Sequence, residues 1–362
     1  MALIIHATTD KVLTPVLGLE DSWTVPICIL MGVITIIYTS LGGLRAVVFT
    51  DVIQSGILFG GGLLTVVLVA NELGGVRELW PSEWLTHWEK PNWGYAPEAR
   101  MTFVGMFLAV FCWHTCTAGS DQVVIQRYFA TRDVKAARRV LVINLVADFF
   151  AMLLMAMVGL ALIAYFTANP GMFGENQSLT NNSDQLFPRF ISEGLPVGLT
   201  GLVVSGLLAA AMSSLSSGMN STSSVITSDF ISRLHSDESD EKSKIVIARW
   251  VSGVIGVVVV ALSLIVDRLP GNLFEVANKV VNLFVSPLFV LFFLAIFVRF
   301  SNTRGAWFGV LTSITIAVLI AFWEEMTGHK GISFLWIMPA AFVGGTLVGT
   351  VASFVLRTKQ ET

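Results

Sequence analysis

Apolar segments long enough to cross a lipid bilayer recur along the whole chain. A membrane helix needs about 20 predominantly apolar residues, and only 13% of the residues are charged, about half the usual share in soluble domains. These features predict an all-α polytopic membrane protein embedded in a lipid bilayer. The predicted helices lie near residues 24–41, 46–70, 101–121, 137–167, 197–230, 246–266, 272–298, 304–323 and 334–356, with part of another at 1–9.

The distribution of basic residues predicts how the helices are oriented. When the loops are assigned alternately to two sides, one side receives fourteen Lys and Arg residues and the other seven, with Lys279 inside a helix. Because cytoplasmic loops are rich in Lys and Arg, the sequence predicts a protein of the cell membrane with a cytoplasmic C-terminus. On the outer side, Trp80, Trp84 and Trp88 are spaced by four residues and predict a short interfacial helix. A packing stripe against neighbouring helices is the alternative.

Several classes of function lack the residues that they would require. The basic residues are not gathered into an arm that would bind nucleic acid, and the net charge is -3. The sequence shows no nucleotide loop, no metal-ligand cluster and no nucleophile–base pair, so we expect no enzyme activity. The opening residues, MALIIHATTDKVLT, resemble the end of a helix rather than a signal peptide, and predict a chain that is incomplete at its N-terminus.

A row of polar residues interrupts the apolar pattern between residues 209 and 230. At 3.6 residues per turn these side chains share one helical face, and a hydroxyl buried in hydrocarbon without a partner costs several kcal/mol. Oxygen ligands suit a hard monovalent cation, so the face predicts cation binding; close helix packing by small residues is the alternative. The face consists of Ser213, Ser216, Ser217, Asn220, Ser221 and Ser224.

A carboxylate that would strengthen a cation site occurs in another apolar helix. In the segment YTSLGGLRAVVFTDVIQSGILFGGGLL, Asp51 and Gln54 lie about one turn into an otherwise apolar helix. An ionisable group at membrane depth is a functional hypothesis by default. The alternative is a position near the cytoplasmic surface beside Arg45.

Three motifs in this order resemble the sodium/solute symporter family, at Tyr38–Gln54, Ser120–Arg127 and Ala209–Ser221. The resemblance covers essentially the entire chain. It implies a sodium-coupled secondary symporter that imports a small organic solute by alternating access. It also implies the inverted-repeat fold of the leucine transporter type without its first core helices. Residues 1–362 would form one transmembrane domain, with the end of the first repeat at 24–70, the second repeat at 101–298 and two additional helices at 304–356.

The resemblance also implies which residues would hold sodium. At the main site, Ala210 would offer a backbone carbonyl, and Ser213 and Ser214 would offer hydroxyls. Some members of the family hold a second sodium ion, and the matching positions here are Asp51, Ser216 and Ser217. One or two Na⁺ ions are therefore expected as the coupling ion.

Three polar residues match positions that contact solute in the sugar symporters of the family. They are His114, Asp148, where those proteins place a lysine, and Asn278, where they place a glutamine. His114 can instead be an interior histidine with a structural hydrogen bond. The solute classes left open are sugars, sugar acids, amino acids, carboxylates and vitamins. The alternatives to symport are a membrane sensor and a non-coupled relative with the same fold.

Overall fold

The computed structural model of the chain describes residues 24–81, 85, 88, 90–172, 183–196, 198–231, 241–266 and 273–356. These residues form helices and connecting turns, and none of them belongs to a β-strand. The prediction of an all-α protein is therefore confirmed. The partial helix predicted at 1–9 lies outside the described residues.

The described helices are labelled here in chain order. Turns of 3-10 helix precede or follow several of them, and turns of π-helix follow α5 and α6. The α-helices are α1 (Thr24–Leu73), α2 (Phe103–Ser120), α3 (Gln122–Phe129), α4 (Val134–Ala168), α5 (Ser183–Arg189), α6 (Leu199–Val225), α7 (Glu241–Val266), α8 (Leu273–Phe297), α9 (Thr303–Ala321), α10 (Trp323–Thr327) and α11 (Ile337–Val355).

Helix α1 is too long for a single membrane crossing. Its 50 residues correspond to about 75 Å at 1.5 Å per residue, whereas the hydrocarbon core is about 30 Å thick. The helix is interrupted at Gly43, whose backbone angles are φ 58° and ψ −156°, a conformation that glycine adopts readily. Residues 24–42 and 44–73 are thus separate segments, close to the helices predicted at 24–41 and 46–70.

Eight of the described helical segments are long and apolar enough to span a membrane, with the whole of Pro26–Leu73 counted once. Many large apolar side chains on them are exposed, among them Phe49, Phe149 and Phe354. A surface of this kind suits a bilayer, in which lipid chains cover the apolar side chains. The chain is therefore a multi-pass membrane protein.

The described residues group into two compact units. Unit 1 contains the described residues within 1–88 and 138–270, and unit 2 contains those within 89–137 and 271–362. The main core of unit 1 joins α1, α4 and α6 around the fully buried Val69, Phe166 and Phe190. In unit 2, α9 packs on α11 around Ala317, Ile337 and Ala341, with Phe334 before α11.

The prediction of an interfacial helix at Trp80, Trp84 and Trp88 is wrong for the part of this segment that the structure describes. Trp80 comes directly after a 3-10 turn, and its backbone is extended. Leu85 and Trp88 are not helical. The Trp88 N–H donates to the Leu85 carbonyl at 2.9 Å, which closes a turn. Trp84 lies outside the described residues. The regular spacing of the tryptophans did not reflect helical periodicity, because Pro81 interrupts the segment.

Candidate cation site

The site is built by the close approach of α1 and α6 within unit 1. A methyl group placed on Gly206 of α6 would lie 3.3 Å from the carbonyl oxygen of Ile57 on α1, so the absence of a side chain at Gly206 lets the two backbones approach. Asp51, six residues before Ile57, meets Ser213, seven residues after Gly206. Residue numbers fall along one helix as they rise along the other, and the two helices are therefore antiparallel.

The carboxylate of Asp51 accepts two hydrogen bonds from the serine face. Ser213 Oγ donates to Oδ1 at 2.5 Å, and Ser217 Oγ donates to Oδ2 at 3.2 Å. The two serines are four residues apart and so lie one above the other on α6. Both hydrogen bonds are partly buried, which strengthens a charge-assisted interaction relative to water.

The other serines predicted to bind sodium make different contacts. Ser216 is fully buried, and its hydroxyl donates to the backbone carbonyl of Ser213 at 3.0 Å. Ser214 has an exposed hydroxyl that donates to the Ala210 carbonyl at 3.2 Å. The structure thus brings Ser213 and Ser217, one from each predicted sodium set, to the carboxylate of Asp51.

Gln54 adds a further oxygen atom to this region. Its side-chain oxygen is buried and has no hydrogen-bond partner among the described residues. Gln54 lies one helical turn after Asp51, and the antiparallel register places it at the level of Ala210. A buried acceptor without a donor is rare and unfavourable. The spacing of three residues from Asp51 was the sequence signal that could have identified it.

These groups provide oxygen atoms and one formal negative charge. Hard alkali cations are bound by carboxylate, hydroxyl and carbonyl oxygens, and the two carboxylate oxygens and two hydroxyls supply such ligands within one helical turn of α6. A hydroxyl can donate to the carboxylate or turn its lone pairs toward a cation, because its hydrogen rotates freely. The arrangement is suited to a monovalent cation.

The three residues predicted to contact solute lie in both units. His114 on α2 and Asn278 on α8 belong to unit 2, and each is half-buried. Asp148 on α4 belongs to unit 1 and is also half-buried. Its Oδ2 accepts a hydrogen bond from Asn144 Nδ2, one turn earlier, at 3.0 Å.

The fold is similar to that of a sodium-coupled symporter of known structure. The structure resembles that of a Na⁺-coupled sialic acid symporter, solved in a substrate-bound outward-open state that reveals a novel Na⁺ site. The TM-score is 0.77 at 27% sequence identity, and the match covers 98% of this chain and 71% of that chain. The leucine transporter type of fold implied by the motifs is therefore confirmed.

The family follows from the sequence. The profile of the sodium:solute symporter family matches residues 9–313, and the chain belongs to this family. It is 30% identical over 332 residues to the sodium/sialic acid symporter SiaT of Proteus mirabilis, covering 88% of this chain and 63% of the relative. It is 28% identical over 315 residues to the sodium/mannose cotransporter SLC5A10 of Bos taurus, covering 80% and 52%. The chain thus spans about half to three fifths of these relatives.

Proposed function

We propose that this protein acts in sodium-coupled symport and imports a small organic solute by alternating access. The observation that carries the proposal is the contact of the Asp51 carboxylate with the hydroxyls of Ser213 and Ser217 across two helices. A charged side chain within a membrane helix is unfavourable unless it is paired or functional. A bound Na⁺ would neutralise this carboxylate and join α1 to α6.

The proposed sodium ligands start from the sets that the family implies. Ala210, Ser213 and Ser214 are proposed for the main sodium ion, and Asp51, Ser216 and Ser217 for a second one. The contacts of Asp51 favour Ser213 and Ser217 over Ser216 as its partners. The buried oxygen of Gln54 is proposed as an additional ligand on α1.

Coupling follows from linkage between the two ligands. If sodium binding raises the affinity for solute, solute binding raises the affinity for sodium by the same factor. The membrane potential adds about 2.3 kcal/mol per charge per 100 mV to inward sodium movement. We further propose that sodium binding between α1 and α6 stabilises the state that accepts solute from outside.

The proposed solute belongs to the classes that the relatives are named for. Two relatives are sialic acid symporters and others are mannose, glucose and multivitamin transporters. For this chain we propose a sugar, sugar acid, amino acid, carboxylate or vitamin. His114, Asp148 and Asn278 are its proposed contacts, and the carboxylate of Asp148 favours a solute with hydroxyl or amino donors.

The proposed location is the cell membrane, with the C-terminus in the cytoplasm. The twofold excess of basic residues on one set of loops supports this orientation. That residues 1–362 form a single transmembrane domain is also a proposal.

Sodium-dependent thermal stabilisation of the purified chain tests the cation site. A ligand that binds only the folded state raises its unfolding temperature, so Na⁺ should stabilise the protein more than K⁺ or choline at equal ionic strength. Asp51→Asn should remove most of this difference. Asp133→Asn is the matched control, because Asp133 is exposed and its ion pair with Arg132, at 3.4 Å, is exposed as well. The capping hydrogen bond that Asp133 accepts from the Ala136 N–H can be accepted equally well by Asn. Equal sodium effects in Asp51→Asn and the unsubstituted chain would contradict the proposed site.

Uptake by the chain reconstituted in liposomes tests the transport step. An inward sodium gradient should drive accumulation of a radiolabelled solute, with sialic acid and mannose as the first probes. A sensor would show sodium or solute binding without accumulation, and a non-coupled relative would equilibrate the solute without concentrating it.

A further inference from the structure

Unit 1 contains a second polar region at the bend of α1, distinct from the Asp51 site. A cleft of about 260 Å³ is lined by residues 39–43 at the bend, by Asn220 and Ser223 of α6, and by Ala248, Arg249 and Ser252 of α7. Asp51 follows Gly43 by eight residues, which corresponds to about 12 Å along a helix. We name this region the bend cleft.

The bend cleft contains buried hydroxyls without hydrogen-bond partners. Thr39 is 2% exposed and Ser252 is 4% exposed, and their hydroxyls, like that of Ser40, have no partner among the described residues. Other threonines of α1 are satisfied within the helix: Thr35 donates to Met31 O at 2.7 Å, and Thr65 bonds back in the same way. The three hydroxyls of the bend cleft thus remain available to a ligand.

The charge of the bend cleft favours an anion. Among its described lining residues the only formally charged side chain is Arg249. Arg249 is exposed and lies about two turns after the N-terminus of α7. A guanidinium group binds phosphate oxygens through two parallel hydrogen bonds, and hydroxyls can donate to the same oxygens. A cation would be repelled by Arg249 and would find no carboxylate among these residues.

The surroundings of the bend cleft favour a lipid as the source of the anion. Leu41 and Ile245 line the cleft and are 64% and 53% exposed, and Trp250, the residue after Arg249, is 74% exposed. Lipid chains would cover exposed apolar side chains of this kind. Arg45 directly follows the bend, on the side with the excess of basic residues. Basic pockets between membrane helices on the cytoplasmic side are suited to anionic head groups.

We infer that the bend cleft binds the phosphate group of an anionic phospholipid. Arg249 pairs with the phosphate charge, while Thr39, Ser40 and Ser252 donate hydrogen bonds to its oxygens. The acyl chains lie against Leu41, Ile245 and Trp250. The lipid thus bridges α1 and α7 at the bend, and this inference does not depend on sodium or solute binding.

Lipid binding is measured on the purified full chain by native mass spectrometry and by thermal unfolding. We expect phosphatidylglycerol to bind and to raise the unfolding temperature, whereas phosphatidylcholine at the same concentration has a smaller effect. Because a charge-assisted hydrogen bond is lost, Arg249→Gln should weaken phosphatidylglycerol binding by about tenfold or more. Ser252→Ala and Thr39→Val, which remove only a hydroxyl, should each weaken it by a smaller factor and serve as the test if Arg249→Gln fails to fold.

Arg304→Gln is the matched control, since Arg304 is also exposed and lies on the same predicted side but outside the bend cleft. Its phosphatidylglycerol binding should equal that of the unsubstituted chain. Equal losses in Arg249→Gln and Arg304→Gln, or equal effects of the two lipids, would overturn the inference. Stabilisation by inorganic phosphate alone, equal to that by phosphatidylglycerol, would overturn the lipid as the source and identify free phosphate as the ligand.

Discussion

At the scale of single residues, the position of Asp51 shows how a carboxylate is accommodated in an apolar helix. Its carboxylate accepts hydrogen bonds from two hydroxyls of another helix, those of Ser213 and Ser217. Hydroxyls that donate to a carboxylate stabilise it and leave its formal charge in place. A lysine in the same place would have neutralised it permanently.

Exchange of neighbouring serines for alanine tests which of them serves the cation. We expect Ser217→Ala to raise the sodium concentration for half-maximal stabilisation by about 3- to 10-fold, as befits a lost hydrogen bond to a charged group. Ser216→Ala should change it little, because the Ser216 hydroxyl donates to a backbone carbonyl. A sodium titration followed by thermal unfolding measures both. A larger effect of Ser216→Ala would restore the set implied by the family motifs.

The ion pair of Lys279 and Glu325 in unit 2 makes stability depend on pH. Lys279 Nζ lies 3.3 Å from Glu325 Oε1. A backbone hydrogen bond and Lys279 lower the pKa of Glu325 below its ordinary value of 4.5. A lowered folded-state pKa contributes stability that is present above the ordinary pKa and is lost as the pH falls through the folded-state value. The unfolding temperature should therefore fall more steeply below pH 4.5 in the unsubstituted chain than in Glu325→Gln; parallel curves would contradict this prediction.

The sequence could predict the face of α6 but not the pairing across it. Helical periodicity places Ser213 and Ser217 on one side of α6, and the ionisable group in an apolar segment identifies Asp51. Which serine reaches Asp51 depends on the register of α1 against α6, and that register is fixed by the close contact at Gly206. Periodicity within one helix contains no information about register between two helices.

At the scale of helices, glycine controls how closely α9 and α11 pack in unit 2. A methyl group on Gly309 would lie 2.9 Å from the carbonyl oxygen of Gly345 and 3.1 Å from the Cα of Gly349. Both neighbours are backbone atoms, which cannot move aside without shifting a helix. Small residues that permit such approach are a common basis of helix association in membranes.

Gly309→Ala should therefore destabilise the protein by about 1–3 kcal/mol, the range for overpacking a close contact. Gly159→Ala on α4 is the control, because a methyl group there would meet nothing within 4 Å. It should be neutral or stabilising by up to about 1 kcal/mol, since alanine favours a helix over glycine. Thermal unfolding of the two variants measures the difference. Equal destabilisation would show that the α9–α11 contact is not limiting.

The helices that sequence reasoning missed are the short ones. Long apolar segments such as α8 were evident from composition, and the interruption at Gly43 falls between the helices predicted at 24–41 and 46–70. Helix α5 has only seven residues and contains Pro188, and the preceding segment is polar and rich in turn formers. Its helical conformation depends on packing, since the following residues Phe190 and Ile191 are buried in the core of unit 1.

For the molecule as a whole, the excess of Lys and Arg in one of the two predicted sets of loops predicts that this set faces the cytoplasm. Arg132, between α3 and α4, and His329, between α10 and α11, are both exposed and are predicted to lie on opposite sides of the membrane. The three native cysteines, Cys28, Cys112 and Cys116, are buried, so they should react little with a membrane-impermeant maleimide.

Labelling of introduced cysteines in intact cells tests this orientation. His329→Cys should react from outside, whereas Arg132→Cys should react only after the membrane is permeabilised. The unsubstituted chain gives the background. Reaction of Arg132→Cys but not His329→Cys in intact cells would reverse the proposed topology and place the C-terminus outside.

The single-residue interruption at Gly43 has a consequence for biosynthesis. No hydrophilic tether separates the two apolar stretches on either side of it, so the ribosome delivers them to the insertion machinery in immediate succession. Without a linker, neither segment can insert into the bilayer independently of the other. The two segments should therefore insert together as a helical hairpin. A side chain at this position would strain the hairpin tip as the two helices enter the bilayer, because the positive φ of Gly43 is unfavourable for any residue with a Cβ atom.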